Sequence, residues 1–211
     1  MTLRGGVDLL IAFVKAPRPG GVKTRLVPPL EPAAAASLYR ALAEAELRNT
    51  APLADEYRRV LCYAPVDARA EIAAWLPGED LDPQAEGDLG QRMAAAFDSA
   101  FARGAGRVVL IGSDVPWLTR EAVLQAFAAL DWHDLVLGPA RDGGYYLIAL
   151  NRPRPQLFQG VPWSTPAVLA ATVELASGLG LSVHRLEVLS DVDTPDDLRR
   201  EWPRLRPMLY P

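Results

Sequence analysis

The sequence predicts an α/β fold, a three-layer α/β/α sandwich in which helices cover both faces of a mixed, mostly parallel sheet. Three features of the 211 residues support this prediction. Short apolar segments typical of buried strands alternate with longer segments of helical periodicity. Polar loops follow several strands, as at the carboxyl edge of an open α/β sheet, where ligands bind. One pair of adjacent strands is joined by a short glycine turn, which favours one antiparallel strand.

The first half of the chain alternates predicted strands with predicted helices. Strands are predicted at residues 8–14, 58–64 and 107–111, and helices at residues 31–53, 67–75 and 89–103. The first strand is rich in Leu, Ile, Phe and Val between polar positions, as expected of a buried parallel strand. The first helix is rich in alanine, carries leucines at helical spacing and has Pro32 in its first turn. The helix at 89–103 stops at Gly104, where a left-handed residue commonly ends a helix.

The second half continues the alternation with one interruption. Strands are predicted at residues 134–137, 145–150 and 181–187, and helices after Thr119, at 164–177 and at 194–202. Thr119 is a suitable N-cap for the helix that follows it. The turn at residues 140–144 joins two consecutive strands, which we expect to be antiparallel. The proline-rich residues 152–166 form the longest irregular segment, and a loop of that length is often functional.

Length, composition and charge limit the possible classes of protein. The length favours a single domain over residues 1–211. A hydrophobic fraction of 50% and a charged fraction of 23% match the globular average, so neither disorder nor a coiled coil is indicated. The formal net charge of -4 argues against a nucleic-acid partner. With neither a secretory signal nor 18 consecutive apolar residues, we expect no membrane association and a cytoplasmic location.

The most informative segment is the loop after the first strand, residues 15–26. It carries four cations among its prolines and glycines, namely Lys15, Arg18, Lys23 and Arg25. Because it follows a strand, we predict that it binds phosphate, although a charged, solvated turn is the alternative. Its glycines lie too close to Lys23 for a Walker loop, and the Gly-x-Gly-x-x-Gly pattern of dinucleotide-binding proteins is absent.

A lone carboxylate follows the strand at 107–111. Asp114 comes after a glycine at the carboxyl end of this apolar segment, a position that suits Mg²⁺ or Mn²⁺ bound with substrate phosphates and water. The alternative is a helix cap, for which Thr119 is the better candidate. Near the chain's end, Asp191 and Asp193 precede the helix start at Thr194 and are available as a second carboxylate for the same metal.

Three further motifs each have a structural and a functional interpretation. The stretch Gly87-Asp-Leu-Gly-Gln-Arg92 either caps a helix through Asp88 or brings the backbone close to a nucleotide. The stretch Asp142-Gly-Gly-Tyr-Tyr146 is either a plain hairpin turn or an acid presented to a substrate. In Trp163-Ser-Thr165 the hydroxyl residues are helix caps, or the indole stacks on a sugar or base.

Taken together, these motifs resemble a known family. The order of the Lys15–Leu26 loop, Gly87–Met93, Gly112–Pro116, Asp142–Tyr146, Trp163–Thr165 and Asp191–Pro195 is similar to that of bacterial GT-A-type glycosyltransferases of the nucleotide-diphospho-sugar transferase superfamily. Some members of this family are assigned to arsenosugar biosynthesis. The resemblance covers about residues 8–200. A more distant similarity is to phospholactate guanylyltransferase and molybdenum-cofactor guanylyltransferase.

The resemblance implies a Rossmann-like GT-A fold, a nucleotide or nucleotide-sugar donor, a small-molecule acceptor and Mg²⁺ or Mn²⁺. It makes Lys15, Lys23 and Arg25 phosphate ligands and Asp114 the metal ligand. With the motifs above, the predicted nucleotide site comprises Lys15, Lys23, Thr24, Arg25, Gly87, Asp88, Gly90 and Arg92. The predicted metal ligands are Asp114 and Asp193. The predicted acceptor site comprises Gly143, Gly144, Tyr145, Trp163, Ser164 and Thr165, and the predicted catalytic residues are Asp114, Asp142 and Lys23.

Three functional hypotheses follow from this set. The first is a metal-dependent glycosyltransferase in which Lys23 and Arg25 stabilise the leaving phosphate and Asp142 orients or deprotonates an acceptor hydroxyl. The second is a nucleotidyltransferase that joins a nucleoside triphosphate to a phosphorylated small molecule. The third is a nucleotide-binding module without catalysis. Release of pyrophosphate from a triphosphate separates the second hypothesis from the first.

Overall fold

A computed structural model describes residues 6–209 of the chain. Over that range the strands are β1 (Val7–Lys15), β2 (Arg58–Ala64), β3 (Asp80–Pro83), β4 (Ala105–Ile111), β5 (Leu135–Pro139), β6 (Tyr145–Leu150) and β7 (Val183–Arg185). The α-helices are α1 (Pro32–Asn49), α2 (Arg69–Trp75), α3 (Leu89–Ala102), α4 (Arg120–Ala129), α5 (Val168–Gly178) and α6 (Pro195–Leu209). None of these helices is long and apolar enough to cross a membrane.

The strands form one mixed sheet in the order β3-β2-β1-β4-β6-β5-β7. All neighbouring strands pair in parallel except at β6, which runs antiparallel to both β4 and β5. The short turn between β5 and β6 permits this antiparallel pairing, whereas parallel neighbours need a longer crossover. The predicted fold class, including its single reversed strand, is confirmed.

The order of the strands places a crevice at the centre of the sheet. The chain passes from β1 outward to β2 and β3, and then returns to add β4 on the other side of β1. Ala12 of β1 pairs with Ile111, the last residue of β4, and β1 continues beyond this pair to Lys15. The loops that follow them both leave the sheet at its carboxyl edge, which is where ligand sites form in open α/β sheets.

Side chains of the strands alternate between two apolar layers. From β1, Leu10, Ala12 and Val14 pack in the layer beneath α1, α2 and α4. The neighbouring Ile11 faces the opposite layer, which contains residues of α3 and α5. A smaller cluster joins α6 to α1 through Leu205.

Several predicted elements differ in extent from the structure, among them the first helix, which ends at Asn49 and not at residue 53, and the last strand, which spans only Val183–Arg185. One strand was not predicted. The short edge strand β3 is absent from the prediction, because Asp-Leu-Asp-Pro lacks apolar alternation and pairing with β2 holds it. Helix α5 begins at Val168 and not at residue 164, since Ser164 has a left-handed φ of 62° and residues 164–167 form a turn. Helix α6 continues past residue 202 to Leu209, where burial of Leu205 outweighs the prolines within the helix.

Candidate functional site

A cavity of about 470 Å³ lies at the crevice between the β1 and β4 loops. Residues of all six sequence motifs line it together, among them Lys15, Lys23, Gly87, Asp88, Arg92, Asp114, Tyr145, Ser164 and Asp193. These residues span 179 positions of the sequence from the first to the last. The topology of the sheet therefore collects the cationic loop, the start of α3 and the acidic loops at one place.

A second cavity of about 300 Å³ adjoins the first. The two share Asp114, Tyr145, Ser164 and Asp193 as a common wall. The second cavity adds Arg25, Asp142, Gly144, Trp163, Thr165 and Asp191. Two joined cavities with carboxylates between them provide room for two reactants.

Lys23 lies between two of these carboxylates. Its Nζ is 3.1 Å from Oδ2 of Asp114 and 3.5 Å from Oδ1 of Asp193, and the side chain is only 4% exposed. Burial by itself lowers the pKa of Lys23, but the charges of Asp114 and Asp193 outweigh it and hold this pKa above its usual value. The backbone of Lys23 is left-handed, with φ of 48°, and this uncommon conformation marks a constrained position.

Other charged side chains surround Lys23 and its two carboxylate partners. Arg25 donates from Nη1 to Oδ2 of Asp193 at 3.0 Å at the exposed edge of the site. Burial, followed by the negative charges of Asp114 and Asp142, raises the pKa of Asp191 to about 7. Asp191 lines only the second cavity, where burial and the neighbouring carboxylates both disfavour its charged form.

The donor set suits a hard divalent cation. Asp114 and Asp193 offer carboxylate oxygens to one shared ammonium, which stands in for the positive charge that these oxygens attract. Within residues 6–209, no three His, Cys, Asp or Glu side chains are arranged to hold a metal ion alone. Mg²⁺ and Mn²⁺ are commonly held by one or two carboxylates with phosphate oxygens and water, so these residues fit such a site.

Two cations at the cavity differ from Lys23 in having no carboxylate partner among the described residues. Lys15 is exposed at the end of β1, and Arg92 donates from Nε to the carbonyl of Gly87 at 2.9 Å. In contrast, Arg18 of the same loop pairs with Glu71 at 2.8 Å and Asp67 at 3.5 Å. Lys15 and Arg92 are therefore the cations whose charge is available to a phosphate.

Buried polar contacts position the loop that carries Asp114. The hydroxyl of Tyr39 accepts a hydrogen bond from the amide of Lys15 at 2.8 Å and contacts Oγ of Ser113 at 2.8 Å. Glu46 accepts a hydrogen bond from the amide of Val115 at 2.7 Å. Burial, with the charge of Asp114 adding to it, holds the pKa of Glu46 well above its usual value. Neither Tyr39 nor Glu46 was predicted to have a role at the site.

A signal for Glu46 is nevertheless present in the sequence. It lies four residues after Leu42 and seven after Tyr39, on the buried stripe of α1. An acidic residue on an apolar helix face is rarely buried without a partner. This position therefore indicates a specific contact, which the structure places behind Asp114.

Three predicted nucleotide and acceptor residues do not line either of the two cavities. Gly90 is buried beneath Trp163, where a Cβ would lie 2.5 Å from the indole Nε1. Gly143 has φ of 90° and packs against the backbone of Pro166. Thr24 is exposed, begins the 3₁₀ turn Thr24–Leu26 and lines neither of the two cavities.

Other predicted residues line the cavities but also have local structural roles. Asp88 caps α3, since its Oδ1 accepts from the amide of Gln91 at 2.8 Å in a capping box. Asp142 accepts from the amide of Gly144 at 2.8 Å within its own exposed turn. The structural interpretation therefore holds for both motifs, and their binding roles stay predictions.

Comparison with known proteins agrees with the fold and the arrangement of the site. A family described as "Uncharacterized protein conserved in bacteria (DUF2064)" matches residues 47–165, which is more than half of the chain. The chain belongs to the DUF2064 family. No curated protein matches this DUF2064 chain in sequence.

Solved structures place the DUF2064 protein among the nucleotide-diphospho-sugar transferase folds. A proposed nucleotide-diphospho-sugar transferase from Desulfovibrio desulfuricans G20 is 34% identical, with a TM-score of 0.84 over 95% of this chain and 97% of that one. CMP:2-keto-3-deoxy-manno-octonic acid synthetase, complexed with CTP, is 13% identical, with a TM-score of 0.57 over 95% and 99%. The predicted family resemblance and fold are confirmed.

A third structure of similar fold contains a metal ion, a nucleotide and a glucosylated compound. Glucosyl-3-phosphoglycerate synthase from Mycobacterium tuberculosis is in complex with Mn²⁺, UDP and glucosyl-3-phosphoglycerate. It is 14% identical to this chain, with a TM-score of 0.53 over 97% of this chain and 79% of that one. At such identity the similarity is one of fold.

Proposed function

We propose that this DUF2064 protein is a metal-dependent transferase that uses a nucleotide-activated sugar donor and a small-molecule acceptor. The observation that carries the proposal is the pair of joined cavities with Asp114 and Asp193 in their shared wall. The larger cavity has the available cations Lys15 and Arg92, and the smaller has Asp142. The similarity to the nucleotide-diphospho-sugar transferase structure from Desulfovibrio desulfuricans G20, which is 34% identical in sequence, supports the same assignment.

The larger cavity, the donor cavity, would hold the nucleotide sugar. The diphosphate would lie between the cations Lys15 and Arg92 and the acidic wall formed by Asp114 and Asp193. Lys15 and Arg92 would bind phosphate oxygens by charge-assisted hydrogen bonds. Asp114 and Asp193 would hold Mg²⁺ or Mn²⁺, and when bound the metal would neutralise charge on the leaving diphosphate. Fixed positive charge at the point where negative charge develops is the main means by which such a site lowers a reaction barrier.

The smaller cavity, the acceptor cavity, would hold the acceptor. Asp142 lines it and is our candidate for orienting and deprotonating an acceptor hydroxyl. Its carboxylate is exposed on a tight turn, which leaves it accessible to a substrate. Its predicted role requires a hydroxyl within hydrogen-bond distance when the acceptor is bound. Thr165 and Trp163 line the same cavity and would contact the body of the acceptor.

The charge of the acceptor cavity favours sugar transfer over nucleotidyl transfer to a phosphorylated molecule. Four carboxylates line this cavity, from Asp114, Asp142, Asp191 and Asp193, against the single cation of Arg25. A metal on Asp114 and Asp193 would neutralise these two, so the exposed carboxylate of Asp142 is the charge that would face an acceptor. It disfavours a phosphorylated acceptor more than a neutral hydroxyl compound. The cavity therefore fits a neutral or cationic acceptor.

The test combines binding with product analysis. Nucleoside diphosphates, triphosphates and nucleotide sugars are screened by thermal shift with and without Mn²⁺, since ligands of the folded state raise its melting temperature. The best donors are then incubated with mixed small-molecule acceptors. We expect a nucleoside diphosphate as product from a sugar donor. Pyrophosphate from a triphosphate would instead establish nucleotidyl transfer, and binding without turnover of any donor would contradict catalysis.

A further inference from the structure

Lysine is rare in this chain, and one of its two lysines contacts the carboxylates of the acidic wall. The 211 residues contain 20 arginines but only two lysines, Lys15 and Lys23, and both belong to the loop after β1. Arginine supplies the other ion pairs of the described chain, as at Arg59, Arg107 and Arg120. A compact ammonium at position 23 is therefore an exception in this protein, at a place where the broad, planar guanidinium would need more room.

The contacts of Lys23 account for the exception. Its Nζ is buried between Asp114 and Asp193, the two carboxylates that fit a divalent cation. Asp114 and Asp193 remain 38% and 30% exposed on the cavity side, so they can be reached by a ligand while the ammonium is almost wholly enclosed. Without a positive charge between them, these carboxylates and Asp191 would repel one another.

We infer that Lys23 is the resident counter-ion of the metal site and that a divalent cation binds there by displacing its ammonium from the carboxylates. The inference rests on the proposed function, because it takes Asp114 and Asp193 to be metal ligands. A metal ion on either carboxylate would face the ammonium at close range, and the two like charges would repel each other. Metal binding is consequently weak until something else accepts the lysine.

The donor diphosphate is the group that can accept it. Lys23 lines the donor cavity, so an ammonium released from Asp114 and Asp193 has a phosphate as its nearest new partner. As the metal binds to Asp114 and Asp193, the ammonium of Lys23 would leave these carboxylates and pair with the diphosphate. The metal and the diphosphate would bind cooperatively, and neither would bind tightly alone.

The first test is a titration of the full chain with Mn²⁺ alone, followed by the electron paramagnetic resonance signal of the free ion. We expect weak binding to the wild type and binding tighter by about tenfold or more to Lys23→Met, which removes the competing charge. Arg18→Met is the matched control, because Arg18 is a cation of the same loop that lines neither cavity and is already paired with Glu71 and Asp67; its affinity should stay within about twofold of wild type. Equal, weaker or undetectable Mn²⁺ binding in Lys23→Met would overturn the inference.

The second test uses wild-type protein and stays informative if Lys23→Met fails to fold. With isotopically labelled lysine, the chain yields side-chain nuclear magnetic resonance signals from only two residues, which Lys15→Met assigns. Addition of Mg²⁺ with pyrophosphate should shift the Lys23 side-chain signal. A Lys23 signal that is unchanged when Mg²⁺ and pyrophosphate are bound would also overturn the inference. Neither test depends on a nucleotide or on turnover, so a wrong assignment of the reaction would be detected separately.

Discussion

At the scale of single residues, the site separates cations that hold carboxylates from cations that are free to hold phosphate. Lys23 and Arg25 belong to the first group and contact Asp193 from two sides. Lys15 and Arg92 belong to the second group within the described chain. The resemblance treated Lys15, Lys23 and Arg25 alike, and only the contacts distinguish them.

This division predicts that Lys15→Ala weakens the binding of nucleoside diphosphates by about tenfold, because a charged hydrogen bond to phosphate is lost. Binding of the corresponding nucleoside should be unchanged. Arg18→Ala is the control, since Arg18 lies in the same loop but is already paired with Glu71 and Asp67. Calorimetric titration measures all three proteins. Equal losses in Lys15→Ala for nucleoside and diphosphate would show that Lys15 does not contact phosphate.

A second prediction at this scale concerns the buried Glu46. Because its pKa in the folded protein is raised above the usual value of 4.5, the folded state binds a proton that the unfolded state releases. This contribution to stability is fully present below pH 4.5 and is lost as pH rises toward the folded pKa. From pH 5 upward to the folded pKa, wild-type stability should fall more steeply with pH than that of Glu46→Gln, by up to about 1.4 kcal/mol per pH unit.

Chemical denaturation in the presence of a chelator measures this difference. All other titrating groups are common to the two proteins, so the difference in slope isolates Glu46. Parallel stability curves for wild type and Glu46→Gln over this range would show that Glu46 is ionised in the folded protein. Glu46→Gln keeps an acceptor for the amide of Val115, so the loop at Asp114 should stay in place.

At the scale of elements, close packing joins α3 to the loop of the acceptor cavity. The backbone of α3 approaches Trp163 at Gly90, where a Cβ would lie 2.5 Å from the indole and 2.7 Å from the carbonyl of Phe158. The missing side chain of Gly90 thus allows α3 to pack directly against Trp163 and Phe158. Sequence reasoning placed Gly90 at the nucleotide because glycines also permit a close approach by ligands.

We expect Gly90→Ala to destabilise the protein by about 1–3 kcal/mol, because Trp163 has to shift from its place. Gly178→Ala is the matched control, since Gly178 ends α5 with no atom near its would-be Cβ. That change should be neutral or stabilising by up to about 1 kcal/mol. Denaturant unfolding provides the comparison. If the two variants were equally stable, the contact between α3 and Trp163 would be excluded.

At the scale of the whole molecule, the fold class and the mixed, mostly parallel sheet were predictable from the sequence because apolar strands and amphipathic helices alternate, whereas the order of the strands was not predicted. The reversed strand β6 followed from the turn at residues 140–144, and the edge positions of Lys15 and Asp114 followed from the strands that precede them. Strand β3 was not predictable, because its four residues depend on pairing with β2.

The internal geometry of the site was not predictable in the same way. Lys23 and Asp193 are separated by 170 positions, and no local pattern reports that their side chains meet. Nor does periodicity show that Glu46 lies behind Val115, since that contact requires α1 to pack beside the β4 loop. Residue types and strand ends can be read along the chain, whereas ion pairs between distant loops depend on the packed molecule.

The central claim is that Asp114 holds a divalent metal that binds together with a nucleotide phosphate. The most direct measurement is calorimetric titration of wild type and Asp114→Asn with the best-binding nucleoside diphosphate, with and without Mn²⁺. Asp131→Asn, at an exposed ion pair with Arg107, controls for loss of a surface charge. We predict that Mn²⁺ tightens binding about tenfold or more in wild type and Asp131→Asn, and has no effect in Asp114→Asn. The same enhancement by Mn²⁺ in Asp114→Asn would contradict the claim.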